Sequence, residues 1–151
     1  AQVKPRVVFV DYLQRCRYPT SDSRAYQVME FMIALKTFAQ EAGVTVVIGC
    51  QLDRKLDKAA VSEPDLADLK DSGAIEAEST HILLLWRPTD RELLKEADYR
   101  SLPPHNVLVR AKIGKNRFGG AGEKRDFLLH GPLVDLCERY AVEAAEEEML
   151  I

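Results

Sequence analysis

Residues Val7-Val8-Phe9-Val10 form an apolar, β-branched and aromatic run that stops on a carboxylate, Asp11, before continuing Tyr12-Leu13-Gln14. No other stretch limits so strongly what this chain can become. A nearly unbroken apolar run from Arg6 to Val10 suits a strand covered on both faces, as in a parallel sheet with helices above and below it. Open α/β sheets place their ligands outside the carboxyl ends of such strands, which is where Asp11 stands. A single aspartate there can hold the water shell of Mg²⁺. In nucleotide hydrolases its partner is a loop of the form G-x-x-x-x-G-K-[ST], whose amides and lysine carry the phosphates. No such loop occurs in the 151 residues: the one Gly-Lys pair, Gly114-Lys115, is followed by Asn116, and the earlier glycine is missing.

The remaining composition is that of one soluble domain with a core, at 46% hydrophobic and 30% charged residues. A formal net charge of −3 supplies no overall field toward nucleic acid or an anionic membrane. Charge is segregated instead. Arg110, Lys112, Lys115, Arg117, Lys124 and Arg125 crowd the stretch from Asn106 to Asp126, and the tail from Leu133 onward is rich in glutamate. Cys16, Cys50 and Cys137 are widely spaced, and His81, His105 and His130 are scattered, so neither structural zinc nor a disulfide framework is expected. No apolar run has the length of a membrane span and no signal-peptide pattern opens the chain, which points to a reducing cytoplasm and no membrane partner. The chain begins Ala-Gln-Val-Lys-Pro and enters a core strand almost at once, and so reads as a portion of a longer protein.

Apolar residues at Val28, Phe31, Met32, Leu35, Phe38, Ala39 and Ala42 recur at helical spacing, with Ser21 or Ser23 as N-cap and Gly43 as C-cap. They predict an amphipathic helix over 24–42. Val44 to Gly49 is a second apolar strand, so strand, helix and strand form a βαβ unit with parallel strands. Gln51 to Asp71 reads as a long surface loop with one helical turn opening at Pro64. A short helix follows from Ser72 to Glu78, then a third buried strand from His81 to Trp86. Pro88 to His105 reads as an exposed connection. Asn106–Lys112 and Lys124–Leu129 read as the two strands of a hairpin whose tip holds Gly119, Gly120 and Gly122. A further helix is expected from Leu133.

Four segments then share a pattern: Val7 to Gln14 with its Asp-Tyr-Leu-Gln, Val47 to Arg54 with Gln-Leu-Asp-Arg, Asp68 to Glu76 with Asp-Leu-Lys-Asp-Ser-Gly-Ala-Ile-Glu, and Lys115-Asn116-Arg117-Phe118-Gly119. In this order they resemble the C-terminal ATPase domain of DnaB-type hexameric replicative helicases, and more distantly the RadA branch of RecA-like proteins. The resemblance covers Val7 to about Leu129. It implies an α/β fold, a partial RecA-like P-loop NTPase core with a mostly parallel sheet flanked by helices and a C-terminal β-hairpin. That core would span residues 1–132, with an acidic C-terminal helix or tail over 133–151. The phosphate-binding loop and catalytic glutamate of the family belong to a part upstream of Ala1.

The same resemblance assigns roles. Asp11 corresponds to the Walker B carboxylate that binds Mg²⁺ and, through it, ATP. Gln51 corresponds to the residue that orients the attacking water or senses the γ-phosphate. Lys115 and Arg117 correspond to a pair that reaches the nucleotide of a neighbouring subunit, and their alternation on a strand would point both the same way. Lys70, Asp71 and Gly73 correspond to a channel loop that meets the backbone of single-stranded DNA. Here the family carries Arg and Glu where this chain has Lys70 and Asp71, and lysine keeps the charge but lacks the bidentate fork. Cys50 replaces the family serine and reads as a packing residue.

The function so implied is part of an ATP-dependent helicase, a hexameric ring translocating on single-stranded DNA, with primase and a helicase loader as further partners. Without phosphate-cradling amides the chain alone is not expected to hydrolyse ATP. Two other functions fit the same residues: a non-catalytic DNA-binding or regulatory relative, and a RadA-like recombination ATPase. The Lys-Asn-Arg-Phe-Gly wording favours the latter, and Asp-Tyr-Leu-Gln opposes it.

Overall fold

The computed structural model describes residues 4–17, 23–52, 63–70, 72–88, 106–133 and 135–138. The chain divides into two compact units, one of Ala1–Leu56 with Asp65–Thr80, the other of Asp57–Pro64 with His81–Ile151.

In the first unit, β1 (Val7–Val10) and β2 (Thr45–Ile48) pair in parallel, with Val7 opposite Thr45 and Val10 opposite Ile48. They are joined through α1 (Arg24–Ala42), the expected βαβ connection. The helix starts after Ser23, whose backbone is extended, and ends at Gly43 in the left-handed region (φ 64°) with its N–H bonded to the Ala39 carbonyl. Glycine takes that conformation without a Cβ penalty, which is why the helix stops there. Val28 and Met32 of α1 are buried, while Phe38, on the expected apolar stripe, is half exposed. A 3₁₀ turn (Leu66–Asp68) is capped by Asp65, and α2 (Ser72–Glu78) packs on α1, with Lys36 Nζ 2.7 Å from Glu78 Oε2. Leu13, Leu69 and Ile75 complete this core.

Coverage of β1 departs from the expectation. The strand is not sealed on both faces: Phe9 is 75% exposed, and Val7 and Val47 are also open. Val46 and Ile48, on the other face, line a cleft of about 310 Å³ with Met32, Leu35 and Ala39 of α1. One helix covers one side of a two-stranded ladder, so exposure alternates with the period of the strand. None of the predicted site residues that are described lines that cleft.

The second unit is a four-stranded sheet in the order β3 (His81–Trp86), β4 (Asn106–Asn116), β5 (Lys124–His130), β6 (Asp135–Glu138), antiparallel throughout. The main sheet is therefore antiparallel, not mostly parallel as expected. Among the described residues the helical crossover is α1, between β1 and β2; β4, β5 and β6 follow one another through connections short enough for antiparallel pairing. β3 alternates exposed and buried residues rather than being buried on both faces. The helix expected from Leu133 is also corrected, because Asp135–Glu138 form β6 against Phe127–His130. Residues 139–151 and the connection over 89–105 lie outside the described residues.

Ile82, Leu84, Leu108 and Leu128 are buried together on one face, with Leu108 directly opposite Leu128. Leu83 and Leu85 alternate to the other side and are more than half exposed. Replacing Leu84 by alanine is therefore expected to cost about 2–5 kcal/mol and Leu83→Ala under about 1 kcal/mol. Denaturant unfolding followed at Trp86 measures both, and equal losses would contradict the register.

Candidate functional site

The β1–β2 ladder continues past the ends of its strands. Gly49 N–H donates to the Val10 carbonyl at 2.9 Å, and Leu13 N–H donates to the Gly49 carbonyl at 2.8 Å. Both chains thus turn outward at the same end, with Asp11 one residue beyond β1 and Gln51 three residues beyond β2. Asp11 and Gln51 are exposed there. Gln14, quoted in the sequence pattern but given no role, ties the two loops together: its Oε1 accepts the Gln51 N–H at 3.1 Å. Its Nε2 is buried and has no partner among the described residues. Arg24, at the start of α1, holds the turn after Asp11 by donating from Nη1 to the Cys16 carbonyl at 3.1 Å and from Nη2 to the Leu13 carbonyl at 3.5 Å. These bonds tie the backbone of the two loops that carry Asp11 and Gln51.

Cys50 lies between these groups. Burial pushes its thiol up from 9.0 to about 11, which keeps it protonated at neutral pH and agrees with a packing role.

The channel-loop residues are only partly described. Lys70 is exposed just after Leu69, which forms a bridge to Leu52, and Gly73 is exposed in the first turn of α2 with open space around its Cα. Asp71 lies outside the described residues.

Lys115 and Arg117 belong to the other unit. β4 runs to Asn116, so Lys115 is paired in the sheet opposite Ile82 while Arg117 stands in the turn beyond it. Strand alternation therefore does not govern where Arg117 points, contrary to the expectation. The hairpin beneath them is tied by charge. Arg110 meets Asp126 in a cross-strand fork, Nε to Oδ1 at 3.0 Å and Nη2 to Oδ2 at 3.2 Å. Glu63 bridges two lysines, accepting from Lys112 at 3.0 Å and Lys124 at 2.6 Å. Glu63 gives no sequence signal, because it precedes its partners by 49 and 61 residues. Gln14 was legible only as part of a quoted motif.

A family model described as the DnaB-like helicase C terminal domain matches residues 1–128. The chain belongs to this family. Among its relatives are the replicative DNA helicases DnaB of Buchnera aphidicola subsp. Schizaphis graminum, 32% identical over 77% of this chain and 23% of the relative, and of Haemophilus influenzae, 32% identical over 79% and 24%. The DnaB of Mycoplasma pneumoniae is 29% identical over 78% of this chain and 25% of its own length. The chain thus spans about a quarter of the relatives it matches. A solved DnaB-like replicative helicase, described together with its interactions with primase, superposes with a TM-score of 0.63 at 30% identity, over 80% of this chain and 27% of that one. The DnaB-like assignment accounts for the order of the four sequence segments. Among the described residues, no helix is long and apolar enough to cross a membrane.

The Glu63 bridge sets a pH dependence. Hydrogen bonds from Lys124 and then Lys112 hold its carboxyl below the ordinary value of 4.5. A lowered folded value means the bridge stabilises fully above the unfolded value and is lost as pH falls through the folded one. Because Glu63 is partly exposed, its contribution at pH 7 is under about 1 kcal/mol. Glu63→Gln should be less stable than the wild type at pH 7 and lose that difference as the pH falls below the ordinary carboxylate range, as read by thermal unfolding. A gap that persists unchanged in acid would contradict the assignment.

Proposed function

We propose that this chain carries the metal-binding and sensor portion of an ATP-driven DNA helicase motor. The observation that supports it most is the placement of Asp11 and Gln51 at one end of a parallel β1–β2 ladder, held there by Leu13, Gly49 and Gln14, in a member of the DnaB-like family. Among the described residues no group of three or more His, Cys, Asp or Glu could cage a metal. A lone exposed carboxylate fits Mg²⁺, which keeps most of its waters and is held by one or two carboxylates together with substrate phosphates. Asp11 would hold that ion with ATP, and the ion's chemistry is to neutralise charge on the phosphates. Gln51 would orient the attacking water, its backbone fixed by Gln14.

Lys115 and Arg117 would act on the nucleotide of the next subunit in a hexameric ring, stabilising charge that develops during phosphoryl transfer. Lys70, with Asp71 and Gly73, would meet the phosphates of single-stranded DNA without reading sequence. Primase and a helicase loader are the further partners of this reading. The 151-residue chain by itself, having no phosphate-cradling loop, would not hydrolyse ATP.

Arg117→Ala in the full-length protein is expected to lower steady-state ATPase by on the order of 10³-fold. Unchanged turnover would sink the trans role. Lys70→Ala should weaken single-strand binding for every sequence alike and reduce the slope of log affinity against log salt by about 1. A slope that does not move would remove Lys70 from the DNA path.

A further inference from the structure

The tip of the β4–β5 hairpin is organised around one side chain. Asn116 is the last residue of β4 and lies opposite His81. Its Oδ1 accepts the Phe118 N–H at 3.0 Å, and its Nδ2 donates to the Gly120 carbonyl at 3.3 Å. The first bond reaches two residues ahead in the manner of an Asx turn, and the second closes the loop two residues further on. Gly119 is matched to this arrangement, because a Cβ built there would stand 2.9 Å from Asn116 Nδ2. A larger residue would require the amide of Asn116 to shift from this position. Phe118 adds a third hold, with its ring 5.8 Å from the ring of His81. Below the tip, Gly122 N–H donates to the Ile113 carbonyl at 2.7 Å and Ile113 N–H donates to the Glu123 carbonyl at 3.0 Å.

Arg117 stands between the two ends of the first bond. Its neighbours on either side, Asn116 and Phe118, are fixed to each other, so its backbone is confined although the following residues include two glycines. Such glycines would otherwise leave the loop free to sample many conformations, at an entropic cost whenever one is selected.

We propose that Asn116 is a positioning residue for Arg117. It holds the tip in one conformation, so that the guanidinium is presented to a neighbouring subunit's ATP without ordering the loop at the moment of reaction. The inference rests on the trans role given to Arg117 above and adds the element that makes that role fast. Preorganised donors stabilise developing charge because no reorganisation is needed when the charge appears. Aspartate keeps the acceptor for Phe118, the bond that brackets Arg117, and loses only the donor to Gly120, whereas alanine offers neither.

Two measurements test this. On the 151-residue chain, exchange of the Phe118 amide is followed by NMR: Asn116→Ala should speed it by about tenfold, whereas Asn116→Asp should keep the protection. Equal protection in the wild type and the alanine variant would overturn the proposal. In the full-length protein with single-stranded DNA, Asn116→Ala should lower kcat by about tenfold with KM for ATP nearly unchanged, and Asn116→Asp should recover most of the loss. A change confined to KM, or no recovery with aspartate, would also overturn it. If Arg117→Ala leaves kcat untouched while Asn116→Ala still loses protection, the failure lies with the trans reading of Arg117. If protection is indifferent to Asn116, the failure lies with Asn116.

Discussion

Two backbone hydrogen bonds past the β1–β2 ladder, from Gly49 N–H to the Val10 carbonyl and from Leu13 N–H to the Gly49 carbonyl, hold the carboxyl ends of both strands to one another. Everything that places Asp11 and Gln51 depends on them. Parallel pairing demands a crossover, α1 supplies it, and the crossover brings both strand ends to the same edge of the ladder. Once there, the side chain of Gln14 and the guanidinium of Arg24 satisfy groups that the turns leave without ladder partners. The candidate chemistry therefore stands on backbone geometry first and on side chains second.

The four-stranded unit follows a different logic. β4 and β5 are joined by a hairpin that carries Lys115, Asn116 and Arg117 at its tip end, with β3 paired along β4 as far as Asn116. A basic arm repels itself unless its cations are paired. The Arg110–Asp126 fork and the Glu63 bridge to Lys112 and Lys124 neutralise its base, while the residues assigned to function stand beyond them.

Local elements were legible wherever a short-range rule decides them. The helix from Arg24 to Gly43 was readable from its apolar period and its terminal glycine, and the hairpin from its glycine-rich tip flanked by apolar strands. The errors have a common origin. An apolar run such as Val7–Val10 reports how much a strand can bury, not what lies against it, and Phe9 stays exposed because α1 covers only the opposite face. The stretch after Leu133 has no period strong enough to outweigh an adjacent strand edge, so Asp135–Glu138 pair with β5 instead of forming a helix. Strand alternation placed Lys115 and Arg117 on one side, but the strand ends between them.

By itself the sequence determined the family, the βαβ unit and the hairpin, and it pointed to Asp11, Gln51, Lys70, Lys115 and Arg117 as candidates, because each of these is written in residue order or in a period of a few residues. Asp11 is a strand-end carboxylate in 151 residues that contain no G-x-x-x-x-G-K-[ST] loop. What the tertiary structure decided is the long-range contacts: Gln14 across 37 residues to Gln51, Glu63 across 49 and 61 residues to Lys112 and Lys124 of the hairpin, and the antiparallel sheet that carries it. Such contacts arise only when distant segments are brought together by folding, and side-chain hydrogen bonds over those separations leave no periodic trace in the order of residues.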